Sequence, residues 1–190
     1  SVTGPGQPAE RRFMREKISA CVITFNEEAN IRRCLDSIAW CDEIVVVDSF
    51  STDRTVEICR EYTDRVIQHK WTGYIAQRNL IRKHASHDWV LYIDADEEIS
   101  TGLQQAIRRE FNRGQMPYDG YQFPRRVWYL GKWIRHGDWY PDIKLRLFRK
   151  ERGRSTGREP HDHVVVDGPV KTLRNPIHHF TYRNVKEHLD

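Results

Sequence analysis

The sequence contains no run of about 18 apolar residues free of charge, so no part of it reads as a membrane-crossing helix. It holds only four cysteines, Cys21, Cys34, Cys41 and Cys59, and none form a C-x-x-C pair. Three of them fall among apolar residues of expected strands and helices, which reads as buried, reduced thiols of a cytosolic protein. Residues 1–12 lack the apolar centre of a secretory signal. They carry two Pro and two Gly, and residues 1–16 read as a disordered leader or cloning remnant. No glycine-rich loop follows the first apolar strand. That removes a G-x-G-x-x-G dinucleotide site and argues against a sugar-nucleotide nucleotidyltransferase. No internal repeat is visible.

What is present suits one domain with a real core: 190 residues, 38% hydrophobic and 31% charged. The formal net charge of +4 is unevenly placed, because residues 121–160 hold eleven Lys/Arg against four Asp/Glu. Trp128, Tyr129, Trp133, Trp139, Tyr140 and Phe148 share that stretch. Such a surface suits an anionic partner, and it reads also as a plain solvated basic face.

Apolar runs predict strands at residues 18–24, 43–47, 65–68 and 89–93. Helical patterns fall between and after them, at 29–38, 53–62, 74–84 and from 101, with Ser51 and Ser100 as expected N-caps. The last helix has the stripe Leu103, Ala106, Ile107 and Phe111. This β-α order calls for a parallel sheet with helices on both faces. After Gly114 the texture becomes aromatic and rich in Gly and Pro. Strand candidates lie near Tyr121 and at 144–148, 164–166 and 170–173, read as a β-rich half laid on the same sheet. The expected organisation is one domain over 17–190, divided into 17–113 and 114–190. Residues 184–190 read as the start of a helix that continues beyond the given chain.

In open parallel α/β sheets, ligands bind beyond the carboxyl ends of the strands. Three expected strands run there into acids and hydroxyls: Thr24-Phe25-Asn26-Glu27, Asp48 to Asp53, and Asp94-Ala95-Asp96-Glu97. In an extended segment residues i and i+2 point the same way, so Asp94 and Asp96 are expected to converge, with small Ala95 between them. Paired carboxylates attract Mn²⁺ or Mg²⁺, which would neutralise a departing nucleoside diphosphate. His161, His163, His178 and His179 invite a zinc reading, but closed zinc sites usually include Cys. His161 or His179 reads better as a ligand of the diphosphate or of the catalytic metal.

The motifs C-V-I-T-F-N-E-E-A-N-I, V-V-V-D-S-F-S-T-D-R-T, Q-R-N and L-Y-I-D-A-D-E occur in that order. Together they resemble the nucleotide-binding half of family 2 glycosyltransferases, inverting enzymes with a GT-A fold. W-I-R-H-G-D-W-Y-P-D-I-K-L-R-L-F-R resembles the bacterial subgroup that includes lipopolysaccharide-core glucosyltransferases. The resemblance implies a mixed, mainly parallel GT-A sheet and a nucleoside pocket lined by Thr24, Phe25, Asn26 and Glu27. It implies that Asp48 bonds the base, usually uracil, and that Arg78 approaches the diphosphate. Asp94 would contact the ribose or a metal-bound water, beside Ala95, and Asp96 would ligate the metal, with His179 a further metal candidate. Helix capping is the simpler role for Asp53.

An inverting transfer needs one general base. The E-D pair that commonly supplies it in this family is missing, which leaves Asp142, Asp162 and Asp138, with Asp142 preferred because aromatics and Pro141 flank it. Arg146 reads equally as a phosphate contact and as a partner of Asp142. The expected partners are a nucleotide-sugar donor and a glycan or lipid-linked glycan acceptor, in the cytoplasm or peripheral on the inner membrane face. A nucleic-acid-binding module and a non-catalytic GT-A-like scaffold are the competing readings. The first leaves the three acidic strand ends unexplained.

Overall fold

The computed structural model describes residues 14–134 and 142–181. Asp138, Trp139, Tyr140, Pro141, most of the expected leader and the expected C-terminal helix start lie outside the described residues. The elements in chain order are β1 (Ile18–Thr24), α1 (Ile31–Ile38), β2 (Glu43–Asp48), α2 (Thr55–Cys59), β3 (Val66–Gln68), α3 (Tyr74–His84), β4 (Trp89–Asp94), β5 (Glu97–Ile99) and α4 (Thr101–Phe111). They continue as β6 (Gly120–Tyr129), β7 (Lys132–Ile134), β8 (Ile143–Arg149), β9 (Gly153–Arg158), β10 (His161–Val166), β11 (Val170–Thr172) and β12 (Ile177–Thr181).

The main sheet runs β3-β2-β1-β4-β8-β6-β12-β5, with β7 and β11 also paired to β6. Strands β3, β2, β1 and β4 are parallel, β8 is antiparallel to both β4 and β6, and β12 is parallel to β6. The chain leaves β1 toward β2 and β3, then returns to place β4 on the other side of β1. That reversal opens a crevice at the carboxyl ends of β1 and β4.

The alternation of β1 explains why both faces are covered. Ile18, Ala20 and Val22 join a core with α1, α2 and α4, whereas Cys21 and Ile23 join a second core beneath α3. The expected α4 stripe is buried as read, and Ser100 caps that helix by accepting from the Leu103 N–H at 3.1 Å. All four cysteines are free thiols.

Three expectations need correction. Ser51 does not cap α2: its hydroxyl donates to Asp48 at 2.5 Å and accepts from the Asn26 N–H at 2.8 Å. Asp53 instead accepts from the Thr55 N–H at 3.0 Å, and the helix shortens to Thr55–Cys59. The assumed leader reaches too far, because Arg15 pairs with Asp42 and Glu16 accepts from Trp89 Nε1 and Arg149. Finally, the β-rich half is not wholly on the main sheet, since β9 and β10 form their own hairpin. Polar β9 has no apolar alternation to reveal it, and it is held by α3 side chains: Asn79 and Ser155 exchange two 3.0 Å bonds, and Arg82 donates to the Gly153 carbonyl at 2.8 Å. A Cβ on Gly153 would collide with the Phe148 ring, so only glycine admits this close approach.

Glu43 ties the amino-end edge together. It accepts from Ser19 Oγ at 2.9 Å, the Ser86 N–H at 2.8 Å and Arg65 at 3.0 Å. Burial alone would raise its pKa, but these donors outweigh it and bring the carboxyl down to about 2. A folded-state pKa below the unfolded value stabilises the fold above that unfolded value, and the contribution is lost as pH falls toward the folded one. Stability is therefore expected to drop between roughly pH 4.5 and 2. Glu43→Gln should cost about 1–3 kcal/mol at neutral pH and flatten this acid limb, as read by urea unfolding across the pH range.

Candidate active site

The crevice opens into a cleft of about 1470 Å³, walled by the carboxyl ends of β1 and β4 and by residues of β8, β10 and β12. From the β1 end it receives Thr24, Phe25 and Glu27, and from the β4 end Asp94, Ala95 and Asp96. Arg78, Arg146, Asp162 and His179 reach it from α3, β8, β10 and β12. Positions far apart in the chain thus meet because several strands and one helix converge there.

Thr24 contributes an unpaired group. Its hydroxyl is buried and has no hydrogen-bond partner among the described residues, a costly state unless a ligand supplies one. Phe25 is exposed at the rim. Asn26 does not line the cleft; with φ +48 it turns outward and accepts from the Thr52 N–H at 2.8 Å, binding two loops together. Asp48 is likewise not a lining residue. It is fully buried, and Ser51 fills both its oxygens, at 2.5 and 2.8 Å.

The expected convergence of Asp94 and Asp96 is only partial. The chain turns at Ala95-Asp96 instead of continuing extended, so the two carboxylates part. Asp94 faces arginines, with Arg78 at 2.8 Å and Arg146 at 3.9 Å. Asp96 faces His179, whose Nε2 lies 3.4 Å away. Arg78, on α3, is only 6% exposed and lines the cleft. It donates both to Asp94 and to Asp162 at 2.9 Å, and these two acids outweigh the effect of burial and hold its pKa well above the ordinary value.

Glu97 is the residue that sequence reasoning passed over. It is fully buried, accepts from Arg146 at 2.6 Å and from the Asp94 N–H at 2.8 Å, and lies 3.8 Å from His179 Nδ1. Burial would raise its pKa, but Arg146 and His179 more than compensate and hold it far below the usual range. Arg146 therefore pairs with Glu97 and not with Asp142. The signal available in sequence was slight, an acid opening the three-residue Glu97–Ile99 strand. It was hidden because D-A-D-E-E reads as one acidic turn.

Asp142 also does not line the cleft. It lies behind Arg125 at 2.8 Å and Lys144 at 3.2 Å. Burial is outweighed by these two cations, which hold its pKa below the usual value and weaken it as a base. Asp162 and His161 do line the cleft, as do Trp71 and Tyr74, whose rings stack edge to face at 4.8 Å. His178 accompanies Glu98 and Trp133 instead. Among the described residues, no group of three or more His, Cys, Asp or Glu is arranged to hold a metal by itself.

The donor chemistry nevertheless fits a divalent cation whose remaining ligands come from substrate and water. Burial pushes the Asp96 carboxyl up to about 7, Asp94, Glu97 and Glu27 add to the effect, and His179 opposes it. A carboxylate so poorly supplied with positive charge and open to a cleft suits Mn²⁺ or Mg²⁺, and the imidazole beside it adds a nitrogen donor better suited to a transition metal than to Mg²⁺.

Residues 19–167 match the family model described as Glycosyl transferase family 2. An uncharacterised glycosyltransferase of Rickettsia typhi is 42% identical over 184 residues, covering 90% of this chain and 63% of that protein. The lipopolysaccharide core biosynthesis glycosyltransferase LpsC of Rhizobium meliloti is 31% identical over 163 residues, covering 83% of this chain and 60% of LpsC. The chain thus spans less than two thirds of the length of these relatives. Glucosyl-3-phosphoglycerate synthase of Mycobacterium tuberculosis, crystallised with Mg²⁺ and uridine diphosphate, superimposes with a TM-score of 0.59 at 17% identity. That match covers 91% of this chain and 74% of the synthase, and the fold is of the expected GT-A type. No helix among the described residues is long and apolar enough to cross a membrane.

Removing the cation from a buried pair strands the acid. Arg146→Met is expected to destabilise the fold by about 3–5 kcal/mol in urea unfolding, and Glu97→Gln in the same chain to restore much of that.

Proposed function

The chain belongs to glycosyl transferase family 2, and we propose that it moves a hexose from a UDP-sugar to an acceptor hydroxyl with inversion at the anomeric carbon. The observation that carries this reading is the meeting, in one cleft, of the unpaired Thr24 hydroxyl, the Arg78 and Arg146 guanidiniums and the Asp96–His179 pair. In this reading Thr24, Phe25 and Glu27 hold the nucleoside, and Asn26 and Asp48 shape the loops behind them. Arg78 and Arg146, positioned by Asp94, Asp162 and Glu97, face the diphosphate. Asp96 and His179 hold Mn²⁺ or Mg²⁺, which supplies charge neutralisation for the leaving diphosphate.

Asp162 is the proposed general base: although paired with Arg78 it lines the cleft, which Asp142, held by Arg125 and Lys144, does not. It accepts the proton of the acceptor hydroxyl while that oxygen attacks the anomeric carbon. The new glycosidic bond forms as the bond to phosphate breaks, and the electron pair of that broken bond leaves with UDP. Asp142 instead orients Arg125 and Lys144 toward the cleft. The proposed acceptor is a bacterial surface glycan such as a lipopolysaccharide core, or its lipid-linked precursor, a choice supported by the likeness to LpsC. The reaction is placed in the cytoplasm, at the inner membrane face. Residues 17–190 act as one domain, with the nucleoside side in 17–113 and the acceptor side in 114–190, from which Arg146 and His179 reach across to the donor.

A thermal-shift panel of UDP, GDP and CMP, with and without Mn²⁺, tests the donor. A ligand binding the folded state at about 100 times its dissociation constant adds roughly 2.7 kcal/mol. UDP with Mn²⁺ should raise Tm, Asp96→Ala should abolish the Mn²⁺-dependent part of that rise, and Thr24→Val should weaken UDP by about tenfold. No response to any nucleotide would return weight to the scaffold and nucleic-acid readings. For the base, Asp162→Asn should lower kcat by about 100-fold or more, well beyond the loss of UDP affinity that follows from loosening Arg78, and Asp142→Asn should cost less. The reverse ranking would reassign the role.

A further inference from the structure

The two-residue turn between β6 and β7 is built from the wrong residue for folding alone. Tyr129 pairs with Lys132 across the turn, and Leu130 and Gly131 both have positive φ, +48 and +76. That turn favours Asn-Gly or Gly-Gly, because a large side chain is strained there. Leu130 is strained and also 71% exposed, so the fold gains neither backbone comfort nor burial from it. Of the two other non-glycine residues with positive φ among those described, Asn26 is a residue type that tolerates it, and Phe50, also exposed, sits in a loop where Gln68 holds its N–H at 2.9 Å.

The surroundings of the tip are apolar and cationic. Ile134 is exposed, and Trp128 and Trp133 pair at 5.0 Å. The exposed Arg126 lies over the Trp133 ring at 4.4 Å, and exposed Lys132 follows two residues after Leu130. From Gly120 to Ile134 there is no Asp or Glu. An apolar tip, a belt of tryptophan behind it and cations with no ion pair among the described residues form the profile of an interfacial anchor, in which aromatics take the headgroup level and Lys/Arg meet anionic lipid. The hairpin also stands at the cleft rim: Trp133 packs on His178 at 4.5 Å and on Phe180 at 6.1 Å, and Phe180 lines the cleft.

We propose that the β6–β7 hairpin is a membrane anchor that inserts Leu130 into an anionic phospholipid surface and holds the cleft mouth at that surface. The proposal rests on the reading of a membrane-associated acceptor and deepens it, but its readout is independent of donor binding and of turnover.

The test is co-sedimentation of the chain with vesicles of phosphatidylglycerol mixed with phosphatidylcholine, and with phosphatidylcholine alone. The chain is expected to pellet with the anionic vesicles and to be released by salt. Leu130→Asn should weaken that partition by about tenfold while leaving Tm equal or higher, since Asn suits the turn, and leaving the UDP-induced thermal shift intact. Lys132→Glu should weaken it as well. Absence of wild-type binding to anionic vesicles, or equal binding by Leu130→Asn, overturns the proposal. So does a self-association that Leu130→Asn abolishes, which would make the hairpin an interface between copies. Absence of the UDP shift in wild type with vesicle binding present would sink the donor reading alone.

Discussion

A carboxylate cut off from water must be met by charge and hydrogen bonds from several directions or it will not remain ionised. Glu97 meets that demand by drawing Arg146 from β8, His179 from β12 and the Asp94 N–H from the end of β4. Among the described residues its own strand, β5, pairs with the sheet only through β12. The acid therefore fastens the late strands to the early ones at the floor of the cleft. Without it the sheet edge near the site would have packing but no fixed positions for the polar groups that face the opening.

That anchoring sorts the neighbouring charges. Asp94 is claimed by Arg78 and Arg146, whereas Asp96, on the turn that follows, has an imidazole nearby. The two ends of the cleft thus differ in kind. One offers guanidiniums held in place by acids, suited to phosphate oxygens. The other offers an acid short of positive charge, suited to a cation.

The basic half is less free than its composition suggests. Arg125 and Lys144 serve Asp142, Arg146 serves Glu97, and Arg149 serves Glu16 and Asp119. Part of the positive charge of this half is thus engaged internally, while Arg152, Arg154 and Arg158 of the same half remain exposed. Arg126 and Lys132 stay at the surface, on the aromatic hairpin. The β9–β10 hairpin works inward instead. It brings Asp162 to Arg78, and its turn residue Glu159 accepts the Ile75 N–H at the start of α3 at 2.8 Å.

The order of the first strands and helices was legible because each buried strand is a short apolar run and each helix carries a stripe. Hydrophobic burial writes such patterns locally, residue by residue. Ser100 as a cap, the α4 stripe and the choice of the β1, β2 and β4 ends as the ligand edge followed from the same local rules, and of the β2 end only Ser49 lines the cleft. Strands β5, β7, β9 and β12 were not legible, since they are short or polar and are held by partners distant in the chain. The D-x-D stretch was visible as an acidic strand end, yet its geometry was misjudged because a turn at Ala95-Asp96 breaks the extended alternation. Whether Asp48 faces ligand or Ser51, whether Asp142 or Asp162 reaches the cleft, and which acid Arg146 meets are matters of three-dimensional proximity. Local pattern was enough to reach a parallel α/β sheet and the edge where chemistry gathers, and the motif resemblance added the GT-A family. Which charges face one another at that edge was settled only by folding, because an ion pair depends on distances that sequence separation does not encode.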